Sequence, residues 1–144
     1  DDNTNLPSYV KAHGFVSKET KAGKQLIHEL IHSSHFLILP TMADCTPIVF
    51  AEFNSYGIPC LTTKVGGIPT VIKDGKNGKL FDREAPAKDY ADYIKSLFDN
   101  YQDYKKLAYS SYKEYAERLN WQKSGEKMME VFKKVVNKKH DSKN

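Results

Sequence analysis

Two carboxylates eight residues apart, Asp44 and Glu52, are the side chains in this sequence best placed to do chemistry. They bracket a loop and the start of a helix, Asp44-Cys45-Thr46-Pro47-Ile48-Val49-Phe50-Ala51-Glu52. Thr46 reads as the N-cap, Pro47 as the first helical residue, and Gly57 with Pro59 as the stop, so the pattern predicts a helix over roughly residues 47–56. Glu52 is its only charge, set among Ile48, Val49, Phe50, Ala51 and Phe53, and is expected to be partly buried. A buried carboxylate is costly without a partner, which is either a protein cation or donor or the hydroxyls of a ligand. Asp44 lies just before the helix start, where unpaired amides and the helix dipole favour an anion such as phosphate. The spacing therefore suits a ligand with both phosphate and hydroxyls. The phosphate would rest near Ile48 and Val49, and Glu52, one to two turns deeper, would accept from a diol.

Two further clusters compete or cooperate with that loop. His28-Glu29-Leu30-Ile31-His32 matches the H-E-x-x-H pattern of zinc hydrolases, in which two His at i and i+4 grip a metal and the Glu acts as base. The alternative is a solvated helix face opposite the stripe Leu26, Ile27, Leu30 and Ile31. Gly66-Gly67 permits close backbone approach or a positive φ. Coming just after a strand, the pair is expected to form a second wall of the crevice beside Asp44, because doubly wound sheets bind ligands at strand C-terminal ends.

The elements that must position these residues can be read in order. His13-Gly14-Phe15-Val16 is expected to be a short strand or its exit, and Ser17 to cap a helix from about Lys18 to Ser33. His35 to Leu39 reads as a strand, the Asp44–Glu52 segment as loop and helix, and Cys60 to Thr63 as the next buried strand, giving a β-α-β unit. Ile68-Pro69-Thr70-Val71-Ile72 starts a short helix or turn. Asp74-Gly75 and Asn77-Gly78 are turn formers, and Lys79-Leu80-Phe81 is a short strand that closes the sheet. From Pro86 the pattern is helical, with Tyr90, Ile94, Leu97 and Phe98 lining one helix and Leu107, Tyr112, Tyr115 and Leu119 a second. Asn120-Trp121 marks a break before a last helix over about residues 122–136. Trp121, Met128, Met129, Phe132, Val135 and Val136 form its apolar stripe, with Lys123, Lys127, Lys133, Lys134, Lys138 and Lys139 mostly off it.

The fold class expected is α/β, a Rossmann-like parallel sheet flanked by helices with a helical C-terminal tail. A chain of 144 residues supports one sizeable core, so residues 1–144 are read as a single domain with a core over 13–83 and a tail over 86–137. Hydrophobic residues make up 40% and charged residues 28%, and no apolar run approaches the ~20 residues of a membrane span, which describes a soluble globular protein. The start Asp1-Asp2-Asn3-Thr4-Asn5 has no signal-peptide character and no initiator Met, so an excised piece of a longer chain is expected. Only Cys45 and Cys60 are present, which argues against a disulfide framework and for the cytoplasm, free or peripheral at the inner face of the membrane. The net charge of +4 is local: residues 121–144 hold seven Lys against Glu126, Glu130 and Asp141. A solvated helix end is the expected reading, with no nucleic-acid partner.

The acid-x7-acid spacing of Asp44 and Glu52, Gly57-x-Pro59, Val65-Gly66-Gly67-Ile68-Pro69 and Asp74-Gly75-x-x-Gly78 resembles, in that order, the GT-B glycosyltransferases of family 4. The resemblance is strongest from Gly14 to Asp82 and implies a retaining enzyme that uses a nucleotide diphosphate sugar as donor, with no metal cofactor. It implies that Glu52 binds the donor's ribose hydroxyls and that Asp44 lies near the donor sugar in the catalytic position. Thr46, Pro47, Ile48 and Val49 would lie near phosphate, with Gly66 and Gly67 as further donor-binding residues. Asp44 stands where the family usually has Glu, Pro47 where it often has Gly, and Thr70 where it frequently has an acid. The resemblance places the pyrophosphate-neutralising Arg and Lys, and the acceptor-binding N-terminal domain, ahead of residue 1. By itself the chain is then expected to bind donor and to be inactive, its acceptor unknown. Part of the natural cover of the last helix would be missing, and self-association through residues 121–136, or a poorly ordered last helix, would follow unless the stripe caps the chain's own sheet. A non-catalytic interaction domain is the remaining alternative.

Overall fold

The computed structural model describes residues 6–141, with side chains through 136; residues 1–5 and 142–144, the two ends of the expected domain, lie outside the described residues. The chain divides into two compact units, Asp1–Ser34 and His35–Asn144.

In the first unit, helix α1 spans Lys21–His32. It starts three residues later than the sequence suggests, because Thr20 and not Ser17 is the cap: Thr20 Oγ1 accepts from the Gly23 amide at 3.0 Å. Ser17 Oγ instead accepts from the Glu19 amide and heads the preceding turn. The strand expected at His13–Val16 does not form. Gly14 takes a left-handed φ of 62°, which breaks an extended run, and Phe15 is 95% exposed.

The second unit is built on three parallel strands, β1 (Leu37–Leu39), β2 (Cys60–Thr63) and β3 (Gly78–Phe81), in the order β1-β2-β3. Leu37 pairs with Cys60, and Cys60 with Gly78. The central strand β2 is buried along its whole length, as expected when both faces are covered. Its side chains alternate between two cores. Cys60 joins Phe50, Ile68 and Ile72 from helices α2 (Ile48–Asn54) and α3 (Ile68–Val71) and the residue after α3. Leu61 joins Phe81 and Tyr90 of helix α4 (Ala87–Asp99). The α/β class with helices on both faces of a parallel sheet is therefore what this unit adopts.

Helix α5 (Tyr101–Glu114) returns over α2 and buries Tyr104, Leu107 and Ser111. Tyr112, expected on that face, is exposed, because the buried positions run 104, 107, 111 and Tyr112 falls one step past them. Tyr115 and Leu119 are only half-buried and lie in a π-helical turn, Tyr115–Leu119, whose wider step shifts the phase of the helix. Asn120 ends this turn and begins the next helix. Its Nδ2 donates to the Tyr115 and Ala116 carbonyls, and its Oδ1 accepts from the Lys123 amide.

Helix α6 (Trp121–Asp141) packs against the π-helical turn. Its apolar stripe is open: Trp121, Met128, Met129, Phe132, Val135 and Val136 are all more than half exposed. The reading in which this stripe caps the chain's own sheet fails. The side chains of Lys138 and Lys139 lie outside the described residues. No helix among the described residues is long and apolar enough to cross a membrane.

Candidate functional site

Because all three strands are parallel, the loops that follow them leave from the same edge of the sheet, the edge at which α/β proteins bind ligands. The first loop, residues 40–47, carries Asp44, which is exposed. Two threonines of β2 brace its beginning. Thr62 Oγ1 donates to the Leu39 carbonyl at 2.8 Å, and Thr63 Oγ1 donates to the Thr41 carbonyl. Both threonines are buried, so their hydroxyls need such partners, and the β1 loop supplies them.

The second loop, residues 64–67, lies directly against the first. The Gly67 amide donates to the Asp44 carbonyl at 3.3 Å. A Cβ on Gly66 would stand 2.0 Å from the Asp44 carbonyl oxygen, and one on Gly67 would stand 2.1 Å from that of Cys45. Gly66 also has a φ of 50°. The two glycines are needed because the loops touch backbone to backbone, and Asp44-Cys45-Thr46 and Gly66-Gly67 form two walls at one edge. Thr70 stabilises the second wall, its hydroxyl donating to the Gly67 carbonyl at 2.6 Å.

Helix α2, which follows the first wall, carries Glu52. It begins at Ile48, and Pro47 rather than Thr46 occupies the capping position, with no side-chain cap. Proline's fixed φ, here −57°, suits entry to the helix, while Thr46 is exposed and its methyl group lies near Gly67. The helix is also shorter than expected at its far end, stopping at Asn54 ahead of Gly57. Glu52 is half-buried, as anticipated; Val49 packs into the core and Ile48 is 61% exposed.

Sequence reasoning missed what holds α2 in place. Asn54 and Asn77 are both fully buried and bonded to each other, Asn77 Nδ2 donating to Asn54 Oδ1 at 2.7 Å. Asn54 also donates to the Ile58 and Asn77 carbonyls, and Asn77 accepts from the Lys73 amide. The end of α2, the segment after α3 and the start of β3 are thereby locked together. Asn77 reads in the sequence only as half of an Asn-Gly turn, and Asn54 as one more helical residue, so neither carries a signal there. Cys60 lies beside this pair, and burial pushes its thiol far above the usual range. Cys45 is exposed on the first wall.

The H-E-x-x-H helix does not gather a metal set. His28, Glu29 and His32 are exposed on one face of α1, and the two imidazoles stack with centroids 4.1 Å apart. Glu29 Oε1 accepts from Gln25 Nε2. Among the described residues no group of three or more His, Cys, Asp or Glu is arranged to hold a metal.

Comparison with known proteins identifies the family of the chain. The family model for glycosyl transferases group 1 matches residues 2–114. The D-inositol 3-phosphate glycosyltransferase of Paenarthrobacter aurescens is 27% identical over 135 residues, covering 92% of this chain and 33% of that protein. Spore coat protein SA of Bacillus subtilis is 31% identical over 86 residues, covering 60% of this chain and 23% of its own length. Among solved structures, HepE of Anabaena in complex with UDP aligns with a TM-score of 0.66 at 17% identity, covering 75% of this chain and 30% of that one. Sucrose-phosphate synthase of Thermosynechococcus elongatus aligns equally well, at 15% identity over 78% of this chain and 28% of its own. The chain thus spans about a third or less of the length of these relatives.

Proposed function

Since the chain belongs to the glycosyl transferases group 1 family, we propose that it is the donor-binding part of a retaining glycosyltransferase, which moves a sugar from a nucleotide diphosphate sugar to an acceptor. The observation that carries this reading is the contact of two backbone walls, Asp44-Cys45-Thr46 and Gly66-Gly67, at the C-terminal edge of a parallel sheet, with half-buried Glu52 on the helix that follows the first wall. Glu52 is assigned to the ribose hydroxyls, since a half-buried carboxylate gains most from two neutral donors that leave it charged. Asp44, exposed on the first wall, is assigned to the donor sugar. The backbone around Thr46, Pro47, Ile48 and Val49, with Gly66 and Gly67 opposite, is assigned to the phosphate side. No metal is required by this set. The HepE structures, solved with UDP and with UDP-glucose, support the choice of ligand class.

Transfer needs donor and acceptor held together with water excluded. The walls seen here provide one side of such a cleft, and the acceptor side belongs to an N-terminal domain of the same enzyme. The chain alone therefore binds donor without turning it over. Calorimetric titration of the chain with UDP and UDP-glucose tests the reading. Saturable binding weakened by Glu52→Gln is expected, and absence of any nucleotide binding would favour a non-catalytic interaction domain.

A further inference from the structure

Arg118 tethers the end of α3, the helix that follows the second wall. It lies in the π-helical turn, 48 and 47 residues from Thr70 and Val71, and is half-buried. Its Nη1 donates to the Thr70 carbonyl at 2.8 Å and its Nη2 to the Val71 carbonyl at 2.7 Å, the last two residues of α3. Its Nε donates to Glu114 Oε2 at 2.8 Å, one turn back in α5, and its Nη2 lies within ion-pair distance of the same oxygen. All three guanidinium nitrogens are thus engaged by protein groups. The charge is neutralised by Glu114, which is itself mostly buried. Arg118 is therefore spent on protein groups and is not an anion ligand.

The two carbonyls it holds end a one-turn helix, Ile68–Val71, that Gly67 caps. Carbonyls at a helix C-terminus lack intrahelical partners, and a cation forked across them satisfies both at once. Because α3 is only four residues long, fixing its end also restrains its start, where the capping residue Gly67 lies against Cys45 and Thr46 of the first wall. The same π-helical turn and α5 pack against α2, which carries Glu52. One platform therefore carries both sides of the crevice. The π-helical turn explains why Arg118 reaches α3, since one wide turn re-aims the residues that follow it.

We propose that Arg118 is a positioning residue for donor binding, acting through the Thr70 and Val71 carbonyls to hold Gly66-Gly67 against Asp44-Cys45-Thr46. This rests on the donor-site reading above. The test is calorimetric titration of UDP into the full chain and its variants, well below each one's unfolding midpoint. Arg118→Ala should weaken UDP binding about tenfold, the effect of one lost hydrogen bond of ordinary strength in the ligand site. Arg118→Lys keeps the charge beside Glu114 but can reach only one carbonyl, and should recover part of that loss. Leu107→Ala serves as the stability-matched control. It opens the core under α5, lowers the midpoint at least as far, and should leave UDP affinity within twofold. Equal UDP affinity in the wild type and Arg118→Ala, or equal losses in Arg118→Ala and Leu107→Ala, would overturn the inference. A wild-type chain that binds no UDP would overturn the donor-site reading, and this inference with it.

Discussion

Gly67→Ala is the cleanest perturbation of the proposed site. Gly67 has φ −85° and ψ −4°, a conformation that alanine adopts without strain. In open space the substitution would stabilise the chain by about 0.4–1 kcal/mol, through the unfolded state. Here the new Cβ would lie 2.1 Å from the Cys45 carbonyl oxygen and 2.9 Å from its carbon. Contacts below 3.0 Å do not occur, so the walls must separate by at least 0.9 Å. That movement also strains the bond from the Gly67 amide to the Asp44 carbonyl. Overpacking of this kind costs about 1–3 kcal/mol, and a separation near 1 Å is enough to spoil hydrogen bonds from a ligand that touches both walls. The expected outcome is a lower thermal midpoint together with a UDP affinity reduced about tenfold or more. Gly66→Ala should do worse, because a φ of 50° adds conformational strain to a similar clash. A Gly67→Ala chain that melts and binds UDP as the wild type does would show that the walls are not in functional contact.

In the intact enzyme, Glu52→Gln should weaken nucleotide-sugar binding by about ten- to a hundredfold, the worth of a charge-assisted bond of roughly 1.5–3 kcal/mol. Asp44→Asn should spare nucleotide binding and lower turnover, and equal losses of affinity in both variants would refute the division of roles. Asn77→Ala should cost about 2–4 kcal/mol in urea unfolding, since it leaves Asn54 Oδ1 and the Lys73 amide without their partner and removes one of the two donors to the Val71 carbonyl; a cost below 1 kcal/mol would show that the buried pair is dispensable. A thiol reagent at neutral pH should label Cys45 quickly and leave Cys60 silent until the chain unfolds, because burial raises the Cys60 thiol and withholds its reactive thiolate. The open stripe on α6 should make the chain self-associate, with Met128→Glu/Phe132→Glu restoring the monomer in sedimentation runs; a wild-type monomer at high concentration would refute this.

What the sequence determined by itself was set by local rules. Strand β2 was readable to the residue, since a short β-branched and apolar run between Pro59 and Lys64 has few other uses. The short helix after Gly67, the strand at Lys79–Phe81 and the break at Asn120 were legible for the same reason: glycine, proline and capping residues act over a few positions. Where two local rules competed, the structure chose between them. Thr20 capped α1 in place of Ser17, and His13–Val16 formed no strand, because a strand exists only if a neighbour pairs with it. The H-E-x-x-H spacing was real, but whether other ligands converge on it is a tertiary question. The sequence suggested that Gly66-Gly67 stands beside Asp44, but the tertiary structure alone decided the atoms through which those walls touch, the Asn54–Asn77 lock and the Arg118 tether. Each joins residues more than 20 positions apart through a carbonyl or an amide. Backbone groups are the same at every residue, so a sequence cannot mark which carbonyl a distant side chain will find; only the packing of the sheet and its helices brings them together.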